Sequence, residues 1–328
     1  LKILVTGGAG FIGSHLVEKL VSEGHEVWII DDLSAGKREY LSHLFEKPQV
    51  HFIEGSVLNR ALLQPVIAEV DLIYHLAAVL GVKNCVDNPL YVIEGNIDGT
   101  KHVLEYSYQH QKKVVFASTS EVYGKNDRLP FKEEDDRILG STSTNRWCYA
   151  TAKALDEHLC FAYAKMGLEM TIVRYFNTYG PRAVNTAYGG VIPRFITAAL
   201  RNEPLQVYGT GEQLRCFTYI EDTIEATYRA KESKANGMVI NIGNNQPISI
   251  LALAHLIREL TNSSSQIILL PYEKAYGKGY EDMMKREPDI TRLQEVLNYT
   301  PKVTLQEGLL KTIEWYKAYL IDQGEKLA

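Results

Sequence analysis

The chain has 328 residues, long enough to bury a substantial core and to form two domains. It is 45% hydrophobic and 23% charged, near the globular average, and its formal net charge is −5 from 35 basic and 40 acidic residues. No basic block or stripe stands out, which argues against nucleic acid as a partner, and no apolar run is long enough to span a membrane.

The first residues read as a buried strand, "KILVTG" (Lys2–Gly7), not as a secretory leader, so a cytoplasmic protein is expected. "VTGGAGFIGSHL" follows and opens a helix. Gly7, Gly10 and Gly13 fit G-x-x-G-x-x-G, while Gly8, Gly10 and Gly13 also fit G-x-G-x-x-G. Glycines let the backbone turn tightly and approach a pyrophosphate at a helix N-terminus. Such a turn often only joins a strand to a helix. Here the strand before, the helix after and the acid ending the next strand, "EVWIID" (Glu26–Asp31), supply the context the motif needs. Phe11 and Ile12, at the opening of the helix, are expected beside the glycines at the cofactor. Asp31 can accept hydrogen bonds from the adenosine ribose and would repel a 2′-phosphate, so NAD is expected over NADP. Asp32 is the alternative ribose partner, and Lys37 and Arg38 leave a smaller opening for phosphate.

"VHFIEG" (Val50–Gly55), "LIYHLAA" (Leu72–Ala78), "KVVFAS" (Lys113–Ser118) and "MTIVRYFN" (Met170–Asn177) read as further buried strands. Between strands lie amphipathic segments such as "SHLVEKLVSEG", with Leu16, Val17, Leu20 and Val21 at helical spacing. Strand–helix alternation with continuous apolar strands predicts an α/β, doubly wound parallel sheet that binds ligands at its carboxyl edge. After Asn177 the texture turns rich in Gly, Pro and Asn, and "MVINIGN" (Met238–Asn244) reads as one strand returning to the sheet. The expected division is a dinucleotide domain over residues 1–176, with a returning segment at about 215–243, and a smaller substrate domain over 177–214 and 244–328. Cys85, Cys148, Cys160 and Cys216 are scattered without metal-ligand spacing, so reduced thiols and no metal are expected.

"RWCYATAK" sets Tyr149 and Lys153 at i, i+4 on one face of a predicted helix. A tyrosine acts as a base near neutral pH only when cations stabilise its phenolate, and a lysine ammonium with an oxidised nicotinamide would do so. Tyr108 and Lys112 share the spacing but lie before the "KVVFAS" strand, with no hydroxyl-bearing strand end upstream to face them. They read as helix surface.

Together "TGGAGFIGSHL", "HLAA", "STSEVYG", "YATAK", "RYFNTYGPR", "VYGTGEQLRCFTYIED" and "REPDITRL" give a chain that resembles the extended short-chain dehydrogenase/reductase family over nearly its whole length. That family holds the nucleotide-sugar epimerases, dehydratases and decarboxylases. The resemblance implies a catalytic triad of Thr119, Tyr149 and Lys153, support of the proton network by Asn96, and a cofactor cleft lined by Leu76, Ala77 and Ala78. Many relatives carry an aspartate near the adenine amine where this chain has Ser56, which can still accept a hydrogen bond. The resemblance also places Ser120, Asn177, Val191, Arg194, Val207, Tyr208, Arg215 and Arg286 around the nucleotide sugar, with UDP expected. The chemistry agrees: guanidinium forks match phosphate oxygens, and Tyr208 offers an aromatic face.

"STSEVYG" decides among reactions. Where a 4,6-dehydratase carries Thr-Asp-Glu, this chain has Ser120, too weak an acid to protonate a departing hydroxyl. A 4-epimerase leaves Glu121 unexplained. UDP-glucuronate decarboxylases resemble the chain most, sharing Thr-Ser-Glu and, in some members, Arg-Trp before the tyrosine and Arg-Cys-Phe. The expectation is oxidation at C4, loss of the C5 carboxylate, then reduction to UDP-xylose, with Glu121 polarising or protonating the C5 region and Arg215 positioning sugar and enolate. UDP-sugar 4-epimerisation is the alternative. Two long helices, "NPLYVIEGNIDGTKHVLEYSY" and "YATAKALDEHLCFAYAK", are apolar on many sides and need a second covering layer, and the resemblance implies that this is the same pair from another subunit, a homodimer through a four-helix bundle.

Overall fold

The computed structural model describes the chain except residues 81, 185–189, 272–282, 326 and 328, and the side chains of residues 82 and 83. Part of the Gly/Pro/Asn-rich stretch and part of the expected substrate domain therefore lie outside the described residues.

The chain alternates β1 (Lys2–Thr6), α1 (Phe11–Ser22), β2 (Glu26–Asp31), β3 (Val50–Glu54), α2 (Arg60–Glu69), β4 (Leu72–His75), α3 (Val82–Asp87), α4 (Pro89–Gln109), β5 (Lys113–Thr119), α5 (Cys148–Lys165) and β6 (Met170–Tyr175). Then come β7 (Thr178–Tyr179), α6 (Val191–Leu200), β8 (Leu205–Tyr208), β9 (Leu214–Cys216), β10 (Thr218–Tyr219), α7 (Ile220–Arg229), β11 (Met238–Ile242), β12 (Pro247–Ser249), α8 (Ile250–Leu260), β13 (Ile267–Leu270) and β14 (Lys285–Arg286). Helices over Thr291–Leu297 and Leu305–Asp322 close the chain.

Seven strands form one sheet in the order β11-β6-β5-β4-β1-β2-β3, and every neighbouring pair is parallel. The doubly wound reading holds, and β11 is the returning strand, paired along β6 from Met238–Thr171 to Ile242–Tyr175. Period-2 alternation splits the core between the two faces. Ile3, Val5, Ile29 and Tyr74 pack on one side with Leu16, Leu20 and Ile224; Leu4, Ile30, Ile73 and Phe116 pack on the other with Leu63, Val103 and Cys160. The remaining strands make smaller sheets, β12-β9-β14, β13-β8 and β10-β7.

Order reverses between β1 and β4, and there the sheet opens a crevice at its carboxyl edge. The glycine turn fills it. Gly7 has φ +69, and a Cβ there would stand 2.8 Å from the Ala77 amide nitrogen. A Cβ on Gly13 would stand 2.1 Å from the Gly7 carbonyl oxygen, so only glycine lets α1 approach β1 this closely. Gly13→Ala should therefore destabilise the protein by about 1–3 kcal/mol and strip bound dinucleotide. Thermal melting and the nucleotide content of the purified protein measure both; unchanged values would show that the turn relaxes.

Candidate functional site

The cofactor cradle is built from strand ends. Asp31, only 7% exposed, accepts the Ala9 amide at 2.9 Å and the Leu33 amide at 2.8 Å, tying β2 to the glycine turn. Burial raises its pKa. A carboxylate offers about four acceptor sites, so ribose hydroxyls can still be received. Asp32 is exposed and turns Oδ1 to Ser34, as a loop acid does. Phe11 and Ile12 open α1 behind Gly10, its N-cap. Leu76, Ala77 and Ala78 continue from β4 past Thr6, whose hydroxyl accepts the Ala77 amide at 3.2 Å. Ser56 accepts the Leu58 amide at 3.3 Å in the loop after β3. With a Gly-only turn, helix-start amides that no N-cap side chain occupies and a carboxylate at the β2 end, these residues fit a dinucleotide.

Asn96 does different work from that expected. Its Oδ1 accepts the Val79 amide at 3.3 Å, and its Nδ2 donates to the carbonyls of Val79 and Val92 at 3.0 and 2.7 Å. The amide is spent on holding the loop after β4, which leaves it a structural clamp.

Thr119 ends β5 and accepts the Glu121 amide at 3.2 Å, and its hydroxyl is also a hydrogen-bond partner for Tyr149. Tyr149 and Lys153 lie on α5, one turn apart. Burial pushes the Tyr149 phenol up, the carboxylates of Glu121 and Asp156 push further, and the Thr119 bond pulls the other way. Lys153 is 1% exposed, its Nζ 3.9 Å from the Phe116 ring centroid and 3.4 Å from Asp156 Oδ2; burial lowers its pKa. Tyr108, in contrast, is exposed on α4 against Tyr163, and Lys112 lies beyond the helix end, so the second pair is surface.

Glu121, whose charge reaches Tyr149, lines a cavity of about 260 Å³ together with Asn177, Val191, Tyr208 and four arginines, Arg146, Arg194, Arg215 and Arg286. Glu121 is clasped on both sides. Its Oε2 is 2.7 Å from Arg146 and its Oε1 is 2.7 Å from Arg286. Burial favours the neutral carboxyl, yet the two guanidiniums outweigh it and hold the pKa down at about 2. A carboxylate so held stays charged at neutral pH and anchors two cations, which fits the expectation that Glu121 polarises the C5 region better than the alternative that it protonates it. Arg286 also reaches the buried Ser120 hydroxyl at 3.4 Å. Arg194, in the first turn of α6, stacks 4.1 Å from the Tyr208 ring centroid. Asn177, at φ +39, donates to the Cys216 carbonyl at 2.9 Å, and Arg215 on β9 donates to the Leu214 carbonyl. Val207 is a correction. Its side chain is fully buried in the core, because β8 alternates and turns Tyr208 to the cavity instead.

Arg146 was legible only as the Arg-Trp of a family pattern; a charge between Asn145 and the apolar Trp147-Cys148 was the available signal. Two roomier hollows flank Arg174, whose guanidinium is spent on Glu157 at 2.7 Å, and they hold none of the expected site residues. Among the described residues no group of three or more His, Cys, Asp or Glu could hold a metal, and no helix is long and apolar enough to cross a membrane.

The Glu121 clasp has a pH signature. Its folded pKa lies below the ordinary 4.5, so its stabilisation is present above pH 4.5 and is lost as pH falls toward 2. Glu121→Gln should melt several degrees lower than wild type at pH 7, with the gap narrowing steadily below pH 4.5. A pH-independent gap in scanning calorimetry would contradict the clasp.

The sequence profile of the "NAD dependent epimerase/dehydratase family" matches residues 3–243. Among similar proteins, UDP-N-acetyl-alpha-D-glucosaminuronate decarboxylase of Bacillus cytotoxicus is 48% identical over 316 residues, 96% of this chain and 98% of that protein. UDP-glucuronic acid decarboxylase 1 of Xenopus tropicalis is 36% identical, over 98% of this chain and 74% of its own. The crystal structure of UDP-glucuronic acid 4-epimerase from Bacillus cereus, in complex with UDP-glucuronic acid and NAD, superposes with a TM-score of 0.85 at 31% identity, covering 97% of this chain and all of that one. The chain thus belongs to the NAD-dependent epimerase/dehydratase family, the nucleotide-sugar branch of the extended short-chain dehydrogenases.

Proposed function

We propose that the protein decarboxylates a UDP-hexuronate, converting UDP-glucuronate to UDP-xylose through a 4-keto sugar. The observation that carries this reading is the Arg146–Glu121–Arg286 clasp beside Tyr149. An epimerase acting on a neutral hexose has no anion at C5 to receive. A hexuronate brings one, and guanidinium forks match it. The 48% identical decarboxylase supports the acid substrate and adds its 2-acetamido form as a second candidate.

NAD, held by the glycine turn, Asp31, Ser56 and the 76–78 segment, supplies a transient oxidation at C4 and its reversal. Tyr149 removes the C4 hydroxyl proton. Its raised pKa means that it becomes a base only when the Lys153 ammonium and the oxidised ring are both near. Thr119 holds the C4 oxygen. Once C4 is a ketone, the C5 carboxylate is a β-keto acid: carbon dioxide leaves, the electron pair of the C5–C6 bond collects on that same oxygen, where Thr119 and the protonated Tyr149 donate to it, and a proton taken up at C5 from water restores the ketone for reduction. Arg215, on β9, holds the sugar and its enolate, and Arg194 and Tyr208 take the diphosphate and the base. We assign the Arg194, Tyr208 and Arg286 contacts to the segments 177–214 and 244–328, Arg215 to the start of the returning segment, and the dinucleotide to 1–176 with the returning strand.

We further propose a homodimer. α4 and α5 pack together and leave Tyr91, Ile93, Tyr108 and Leu155 exposed, apolar side chains that a second copy of the same helices would cover. Light scattering at micromolar concentration should give twice the 37.0 kDa chain mass.

The deciding assay offers UDP-glucuronate, its 2-acetamido counterpart and UDP-glucose separately and follows products by NMR. Carbon dioxide and a UDP-pentose from an acid sugar support the proposal. UDP-galacturonate from UDP-glucuronate, or conversion of UDP-glucose alone, would replace it with 4-epimerisation. Tyr149→Phe should abolish cofactor reduction, and Glu121→Ala, which leaves two buried arginines without their anion, should impair both sugar binding and turnover.

A further inference from the structure

Behind Lys153 runs a line of buried polar groups that the reaction as described leaves unused. The Thr6 hydroxyl, at the end of β1, is 2.7 Å from His75 Nδ1, at the end of β4. His75 Nε2 is 3.2 Å from the Thr100 hydroxyl on α4. Thr100 faces the carboxylate of Asp156 on α5, and Asp156 Oδ2 stands 3.4 Å from Lys153 Nζ. All five side chains are at most 1% exposed.

The directions of the bonds agree. Thr6 accepts the Ala77 amide, so its own proton is free for His75 Nδ1. Burial and the Lys153 charge hold His75 down at about 3, so the ring is neutral and its one proton sits on Nε2, directed to Thr100. The Thr100 proton is then left to turn toward Asp156. Neither Asp156 oxygen closes a well-formed hydrogen bond, yet the Lys153 ammonium, by charge first, and the Thr100 hydroxyl both pull the carboxyl toward its charged form. Burial would otherwise drive a proton from Lys153, and Asp156 is the foremost opposing influence.

We propose that Asp156 is the positioning residue of the catalytic lysine: the donor chain through Thr6, His75 and Thr100 orients its carboxylate, and that carboxylate keeps Lys153 charged on the Tyr149 face of α5. This rests on the Tyr149–Lys153 assignment above. The charged and titratable groups around Asp156 are Lys153, Glu157 and Cys160 on its own helix, Tyr149 at that helix's start and His75 from β4 behind Thr100.

Two measurements test it. The first compares kcat and KM of wild type, Asp156→Asn and Asp156→Glu from pH 6 to 9, with Tyr149→Phe as the reference for loss of the base. Asp156→Asn should lower kcat about tenfold to a hundredfold at pH 8 with KM held, less than the 10²–10⁴-fold that acid–base assistance contributes. The ratio to wild type should recover as pH falls and Lys153 regains its proton, and Asp156→Glu should restore most of the rate. A ratio constant with pH, or an effect on KM alone, overturns the proposal; an active Tyr149→Phe removes the lysine assignment first and the proposal with it.

The second reads the melting temperature of the purified protein between pH 4 and 7. Burial lifts the folded Asp156 pKa from 3.8 to about 6, so its contribution is full below pH 3.8 and lost as pH rises through 6. The melting temperature of Asp156→Asn minus that of wild type should therefore rise across this window. A flat difference overturns the proposal. Should Asp156→Asn fold poorly, Thr100→Val removes a hydroxyl and no charge: a lowered kcat at unchanged KM supports the chain, and wild-type kinetics overturn it.

Discussion

The arrangement depends on where a buried negative charge finds its partners. Glu121 stands just past the end of β5, Arg146 in the turn before α5, and Arg286 on β14, and a single carboxylate ties them together. Three segments distant in sequence are held in register by it. Removing water from these charges costs several kcal/mol each, so the fold tolerates them only as a closed set. Tyr149 lies three residues past Arg146, so the same ion pairs that line the cavity also fix the start of its helix.

Cofactor and sugar ends of the site are built by different means. At the dinucleotide, backbone does the work, through a glycine turn, helix-start amides and one carboxylate that steadies the loop. At the sugar, charge does it, through guanidiniums crowded into a small cavity. Backbone recognition suits a cofactor kept through every turnover. A cationic cavity suits a ligand that arrives charged and leaves altered.

What could be read in advance follows from range. The strands, their face-alternating residues and the glycine turn are local signals, and each appears where its pattern sits. Asp31 and Thr119 were legible because strand ends in this topology point to one edge. The role of Glu121 stayed open because its chemistry is set by Arg286, 165 residues away, which no spacing reports. The partners of Asn96 were out of reach for a related reason: they are the carbonyls and amide of backbone segments, invisible in side-chain patterns. Val207 followed from taking a motif as contiguous when a strand presents only alternate residues to one side. Asp156 carried no signal at all, since an acid on a helix reads as solvated surface until the helix is seen from below.

The small sheet β12-β9-β14 sets Arg215 of β9 and Arg286 of β14 directly opposite each other in a parallel pair. Neighbouring strands lie about 4.8 Å apart, so the main-chain ladder sets two like charges side by side, with Glu121 as the counter-charge of Arg286. Sliding β14 by one residue would turn Arg286 to the other face of the sheet and bring Glu287 or Lys285 opposite Arg215. The cationic lining of the cavity is thus carried by alignment as much as by residue identity, and an insertion or deletion within this short strand would change the charge presented there while leaving every arginine in the sequence.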